Sequence, residues 1–205
     1  MPRRTVCLIW FAALALFGGT PPMDGALRPE TWAGARREHL SGGGDVWLME
    51  SGAYLEVMVR GPAKGFPTVF VGDTDQVEVL HASAALGNVS YIRTHGTWAR
   101  KGVFEWQVRD RAVSAATLAK EAEAFLEAQG WLANASRTGE PTRVFRIALK
   151  PSRRFIGVVF LSTDTMAVSH WPAGLRDDCL NLALLRGESP DALQFNPVRW
   201  FRHSP

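Results

Sequence analysis

The sequence predicts a mainly β protein, an antiparallel β-sandwich of the jelly-roll type with one inserted helix at about residues 114–129. Three observations support this fold class. Several short segments alternate apolar with polar residues, Gly- and Pro-containing turns separate them, and a single long segment is rich in Ala, Glu and Leu. We expect residues 24–203 to form one domain, because a chain of this length can bury a sizeable core without subdivision.

Residues 1–20 have the layout of a secretory signal peptide. Arg3 and Arg4 precede an apolar run from Val6 to Phe17, and small residues follow it. The run is shorter than the roughly 20 residues that a membrane-spanning helix needs. We therefore expect export and cleavage, an extracytoplasmic location (periplasmic or secreted), and no stable membrane insertion afterwards. An uncleaved anchor is the alternative, because Gly18-Gly19-Thr20 is only a fair match to a cleavage site.

Charge and cysteine content restrict the classes of partner. The formal net charge of +3 falls to +1 without residues 1–20, because that segment carries two arginines and no acidic residue. A nucleic-acid-binding protein needs a basic face or stripe, so nucleic acid is not an expected partner. Only Cys179 lies outside the leader, so the remaining chain cannot form an internal disulfide.

The first strands are predicted from alternation. Residues 30–40 are compatible with one or two helical turns, and the segments 46–50 and 54–60 then flank Ser51-Gly52-Ala53 as a hairpin. Along 54–60, side chains with even and odd numbers point to opposite faces. We expect Leu55, Val57 and Val59 to face the core, and Tyr54, Glu56, Met58 and Arg60 to form a mixed face.

The remaining elements follow the same logic. Segments 68–72, 76–82 and 88–94 are predicted strands, and 142–150 and 154–162 are two more. The last of these is apolar on both faces, which predicts a central position in its sheet. The segment 112–130 contains no proline and ends at Gly130, which predicts the helix. The tail after residue 170 is rich in loops.

The order of these landmarks resembles the family 9 carbohydrate-binding modules and the wider group of DOMON-like β-sandwiches. The similarity spans about residues 24 to 200. Its features are Asp24-Gly25 followed by Trp32, Tyr54-Leu55 in the second strand, Asp75 ahead of Val77-Glu78-Val79, the strand Arg146-Ile147-Ala148-Leu149, the group His170-Trp171-Pro172, and Pro197 to Trp200.

The resemblance implies an exported, mostly non-catalytic binding module. Members of the group bind sugars or, in related branches, haem. The resemblance also implies that the segment 24–32 enters the domain and packs Trp32 against one end of the sandwich, before the first hairpin. Carbohydrate is accordingly the expected ligand, with no cofactor.

Candidate sugar-binding residues are aromatic side chains with polar neighbours. Trp98, Trp106 and Trp131 are the candidates, because they are predicted to lie in or beside loops around the helix. Glu56 and Arg60, on the mixed face, complete the expected contact region. The alternative is that the tryptophans belong to the core, as is expected for Trp32, Trp171 and Trp200.

Haem binding is the alternative ligand class. Met58 is one candidate axial ligand, and His81, His95 and His170 are its candidate partners. No C-x-x-C-H attachment motif occurs. Two further alternatives remain: a domain that contacts another envelope protein without a small ligand, and a divergent sandwich that has lost its ligand.

Catalytic motifs are absent from the sequence. No G-x-S-x-G, H-E-x-x-H or phosphate-binding glycine loop occurs. Asp73 and Asp75 could supply oxygen ligands to Ca²⁺, but they do not form a complete calcium loop. Cys179 is typical of a small buried apolar residue. We therefore expect no enzymatic activity.

Overall fold

A computed structural model describes residues 23, 28, 30–109, 114–134 and 141–203. The leader and the Asp24-Gly25 pair lie outside the described residues. In chain order the elements are β1 (Arg36–His39), β2 (Asp45–Ser51), β3 (Tyr54–Arg60), β4 (Gly65–Gly72), β5 (Gln76–Ala82), β6 (Ala85–Thr94), β7 (Thr97–Arg100), β8 (Glu105–Arg109), α1 (Ala115–Gln129), β9 (Trp131–Ala133), β10 (Thr142–Ala148), β11 (Phe155–Ser162), β12 (Val168–Trp171), α2 (Leu182–Leu185), β13 (Ala192–Leu193) and β14 (Phe201–Arg202).

Two antiparallel sheets form the sandwich, as the alternating segments predicted. The five-stranded sheet has the order β1-β2-β3-β10-β9. The nine-stranded sheet has the order β12-β11-β4-β5-β6-β7-β13, with β14 also paired to β11 and β8 also paired to β6. Strand β11 is central, as its apolar faces predicted, because β4 lies on one side of it and β12 and β14 lie on the other.

The main core lies between the two sheets. Leu55, Val57 and Val59 of β3 face it and are buried, as predicted. The nine-stranded sheet contributes Ile156 and Val158 of β11 to the same cluster. Strands β3 and β5 have the predicted bounds, 54–60 and 76–82, since each contains alternating residues and is flanked by turn residues.

The N-terminal segment covers the outer face of the five-stranded sheet. Trp32 is buried there against Trp47, Met58 and Val144. The tryptophan therefore packs on a face of the sandwich, whereas the resemblance implied one end. The prediction of helical turns over residues 30–40 was wrong for the second half of that segment, because Arg36–His39 pairs with β2 as an edge strand.

Helix α1 connects the two sheets and packs against β8 and β9. Ser114 caps its first turn by accepting a hydrogen bond from the Thr117 amide at 3.2 Å. Gly130 ends it with φ of 69°, and its amide donates to the Leu126 carbonyl at 2.8 Å. Phe125 is the buried residue of the helix, and its ring meets the Trp131 ring edge-on at 5.2 Å.

The C-terminal segment, residues 172–200, forms a further layer over the outer face of the nine-stranded sheet. Its buried side chains join those of β4, β5, β6 and β11 in a second apolar cluster. The contributing residues of the segment are Leu175, Cys179, Leu184, Leu185, Leu193, Phe195 and Trp200. The tail, which the sequence predicts to be rich in loops, thus contributes to the hydrophobic core. Within the described part of the chain, every helix is too short or too polar to cross a membrane.

Candidate functional site

A cavity of about 530 Å³ lies where the C-terminal segment meets one end of the nine-stranded sheet. A smaller recess of about 90 Å³ adjoins it and shares Arg176, Asp177 and Asn196 with it. The larger cavity is lined by Thr74, Arg93, Arg176, Asp177, Asp178, Gln194, Phe195, Asn196, Pro197 and Val198. Its volume lies within the range typical of small-ligand sites in proteins.

The sheet side of the cavity is set by the β4–β5 turn and the end of β6. Asp73 fixes the turn, because its Oδ1 accepts hydrogen bonds from the amides of Asp75 and Gln76 at 2.8 and 2.9 Å. The Arg93 amide donates to the Asp75 carbonyl at 2.7 Å, which holds the end of β6 beside that turn. Thr74 and Arg93 therefore project from backbone whose position is fixed by hydrogen bonds.

Asp177 organises the opposite wall. Its Oδ1 accepts from the Cys179 amide at 3.0 Å, and its Oδ2 accepts from the Asn196 amide and from Trp200 Nε1, both at 2.8 Å. One carboxylate thus joins three points of the C-terminal segment. A carboxylate that receives several N–H donors is a strong anchor, because each of these hydrogen bonds is charge-assisted.

Asp178 strengthens the same wall. Its side chain accepts from the Gln194 amide, and its own amide donates to the Gln194 carbonyl at 3.0 Å. The hydrogen bonds to Asp178 and Asp177 use the backbone of Gln194 and Asn196, respectively. The side chains of both residues are exposed and line the cavity. The wall therefore combines a fixed backbone with amide side chains that can contact a ligand.

Two guanidinium groups line the cavity. Arg93 comes from β6 and Arg176 from the segment after β12, and both are exposed. Neither side chain makes an ion pair or hydrogen bond within the described residues, whereas Arg100 pairs with Asp191 at 2.6 Å and Arg153 pairs with Glu78 at 2.7 Å. The cavity therefore offers cationic donors that the fold itself does not use.

The lining also includes the apolar side chains Phe195, Pro197 and Val198. Phe195 is 6% exposed and packs its ring against Tyr91 at 5.2 Å and Trp98 at 5.5 Å. Val198 is 61% exposed. A ligand in this cavity would therefore meet apolar surface as well as polar groups, with Val198 as an exposed aliphatic side chain.

The tryptophans predicted to contact sugar all lie in strands. Trp98 is in β7 and is 1% exposed, with Nε1 donating to the Phe195 carbonyl at 3.0 Å. Trp131 is in β9, is 0% exposed, and stacks against Phe145 at 6.2 Å. Neither ring offers a face to a ligand at the surface. Trp106 is in β8, and its side chain lies outside what the structure describes.

Glu56 and Arg60 share one face of β3, as predicted, but their surroundings differ. Glu56 is 0% exposed, and its Oε1 accepts from Arg146 Nε at 2.7 Å. Burial raises the pKa of Glu56, and the hydrogen bond and charge of Arg146 oppose that rise. Arg60 is exposed at the end of the strand. Among the side chains that the structure describes, Glu56, Arg60, Trp98 and Trp131 do not line one cavity together.

The candidate haem ligands Met58 and His81 lie on opposite sides of the sandwich. Met58 is buried on the outer face of the five-stranded sheet, and His81 is buried on the outer face of the nine-stranded sheet beside Phe66 and Phe104. Two packed sheets lie about 10 Å apart, so both side chains cannot bind one iron. His95 occupies the β6–β7 turn with φ of 51°, and His170 lies in edge strand β12.

Other reactive groups are either dispersed or buried. No group of three or more His, Cys, Asp or Glu side chains among the described residues is arranged to hold a metal ion. Asp73 is committed to the β4–β5 turn. Burial raises the pKa of the Cys179 thiol well above its usual value, and the nearby charge of Asp177 adds to the effect. The thiol is therefore protonated at neutral pH.

Comparison with known proteins provides no further assignment, since the chain matches no protein-family model, no curated protein and no solved structure. The resemblance to family 9 carbohydrate-binding modules and DOMON-like domains stays a prediction. The cavity itself was not among the predicted sites. No sequence motif marks Arg93 in the segment 88–94 or Arg176 in the loop-rich tail as a site residue.

Proposed function

We propose that the protein is an exported, non-catalytic module that binds carbohydrate, and that the ligand occupies the cavity between the β4–β5 turn and the C-terminal segment. The observation that carries this proposal is a cavity of about 530 Å³ lined by guanidinium, amide and carboxylate side chains. The layout of residues 1–20 supports export.

The lining suits a polyhydroxylated ligand. Gln194 and Asn196 can each donate and accept hydrogen bonds, and a guanidinium group donates several in one plane. Sugar hydroxyls need such paired donors and acceptors, while the C–H face of the ring needs an apolar surface, which Val198 supplies. The wall is preorganised by Asp177, and preorganisation lowers the entropic cost of binding.

The non-catalytic part of the proposal rests on how the acidic residues are used. Both oxygens of Asp177 accept hydrogen bonds from the protein framework, so that carboxylate already serves a structural role. The resemblance to non-catalytic modules supports the same conclusion.

The test is a glycan array followed by titration calorimetry on the wild type, Gln194→Ala and Asn196→Ala. These truncations leave the backbone hydrogen bonds to Asp178 and Asp177 in place. We expect each truncation to weaken binding about tenfold, as removal of one good hydrogen-bonding group would. Glu127→Ala, on the exposed side of α1, is the control and should bind like the wild type.

Trp106→Ala separates this site from the one that the sequence predicted. If only Trp106→Ala weakens glycan binding, the protein binds carbohydrate at β8 and the cavity assignment is wrong. If the wild type binds no glycan, carbohydrate binding is excluded and contact with another envelope protein becomes the better proposal.

A further inference from the structure

The geometry points to an acidic ligand: we infer that the group bound in the cavity carries a carboxylate, sulfate or phosphate, which Arg93 and Arg176 contact. The inference rests on the proposed function, because it concerns the same cavity and specifies the class of carbohydrate. A glycan containing uronic acid or sulfated residues would satisfy it.

The two arginines reach one cavity from separate parts of the fold. Arg93 lies near the end of β6, where its amide is bonded to Asp75, and Arg176 directly follows the buried Leu175 of the C-terminal layer. Both backbone positions are thus fixed by the fold. Within the described residues, neither guanidinium group has an acidic partner to neutralise it.

The acidic residues of the lining, Asp177 and Asp178, compensate the charges of the two arginines only in part. Asp177 directs both oxygens to N–H donors of the C-terminal segment, and Asp178 directs one oxygen to the Gln194 amide. Negative charge that is held by such donors is partly compensated by them. The cavity consequently presents more unused hydrogen-bond donors than unused acceptors to a ligand.

Guanidinium groups select acidic ligands for two reasons. The planar fork of N–H donors matches the two oxygens of a carboxylate, sulfate or phosphate. Charge attraction is also stronger in a recess than on an open surface, because less water screens it. A neutral sugar could use the same donors, but it would lack the charge-assisted part of the interaction.

The experiment compares matched ligands that differ in charge. Oligogalacturonate and its fully methyl-esterified form are titrated by calorimetry into the wild type, Arg93→Gln and Arg176→Gln, with sulfated glycans as an additional panel. Arg202→Gln is the control, since Arg202 is an exposed arginine of β14 outside the cavity. Thermal unfolding of each variant checks that the fold is retained.

We expect the wild type to bind acidic glycans at least about tenfold more tightly than the neutral form, as charge-assisted hydrogen bonds imply. Each cavity variant should lose most of that preference, because acidic binding weakens more than neutral binding, while Arg202→Gln keeps the preference. Added salt should weaken only the acidic interaction.

The outcomes separate this inference from the proposed function. Equal binding of acidic and neutral glycans by the wild type overturns the acidic-ligand inference and leaves carbohydrate binding intact. Citrate and inorganic phosphate form a third arm: if these anions bind through Arg93 and Arg176 while no glycan does, the acidic site stands and the carbohydrate proposal fails. If nothing binds in any arm, both are wrong.

Discussion

Two buried ionisable residues show how local surroundings decide whether a charge is kept. Arg153 is 4% exposed, yet its positive charge is compensated. The guanidinium group donates to both oxygens of Glu78, at 3.0 and 2.7 Å, and to the Gly130 carbonyl at 2.6 Å. His81 is 2% exposed against Phe66 and Phe104. Burial, together with the charge of Arg143, lowers the pKa of His81 to about 4.

His81 makes the stability of the protein depend on pH. In the unfolded chain the imidazole takes up a proton as the pH falls below about 6.5, whereas the folded protein resists this until about pH 4. The stabilising contribution is therefore complete above the unfolded pKa and is lost as the pH falls between these values. Between about pH 7 and about pH 4.5 we expect the free energy of unfolding to fall by roughly 2 to 3 kcal/mol because of His81.

Urea denaturation of the wild type and His81→Gln at both pH values measures this effect. Gln keeps a side-chain partner for Thr68, whose hydroxyl lies 3.1 Å from His81 Nδ1, but it cannot titrate. The variant should lose less stability than the wild type on acidification. An identical loss in the two proteins would show that His81 is not responsible.

At the level of elements, long periodic segments could be predicted and short ones could not. Strand β3 alternates along its length, β5 alternates over residues 76–79, and α1 has a serine cap and a terminal glycine, so these segments carry local signals of their own. Strands β7 and β9 contain four and three residues, and their conformation depends on pairing with β6 and β10. The sequence alone therefore places Trp98 and Trp131 in or beside loops, whereas the structure has both in strands.

Helix α1 is attached to the sandwich chiefly through Phe125. This side chain is 4% exposed and contacts Trp131 in the core between the sheets. We expect Phe125→Ala to lower the free energy of unfolding by about 3 kcal/mol, because the truncation leaves a cavity beside the Trp131 ring. Helix propensity cannot explain such a loss, since alanine is the best helix former.

The control for this prediction is Glu123→Ala in the same helix, at an exposed position. Urea denaturation followed by far-ultraviolet circular dichroism compares the two variants with the wild type. Glu123→Ala should change stability by less than about 0.5 kcal/mol. If Phe125→Ala behaves like the control, α1 does not depend on that contact.

On the scale of the whole molecule, apolar side chains form clusters on three surfaces: between the sheets, beneath the N-terminal segment, and beneath the C-terminal segment. The alternation in β3 predicted the first cluster. The others could not be predicted, because they join residues far apart in the sequence, such as Trp32 with Val144 and Tyr91 with Phe195. The candidate cavity depends on the same long-range packing, which explains why sequence patterns missed it.

Asp177 is expected to hold the C-terminal layer in place. Asn at this position would direct an amide group toward at least one of the N–H donors that the carboxylate accepts from, namely the amides of Cys179 and Asn196 and Trp200 Nε1. We therefore expect Asp177→Asn to lower the free energy of unfolding by about 2 kcal/mol, the usual cost of leaving a buried hydrogen-bonding group unpaired. Hydrogen exchange should also become faster at the indole N–H of Trp200, a site that nuclear magnetic resonance resolves from backbone amides. Asp164→Asn, on the exposed turn after β11, removes the same charge elsewhere and should change neither quantity. Unaltered stability and indole exchange in Asp177→Asn would mean that apolar packing alone holds this layer against the sheet, and that the cavity wall does not depend on the carboxylate.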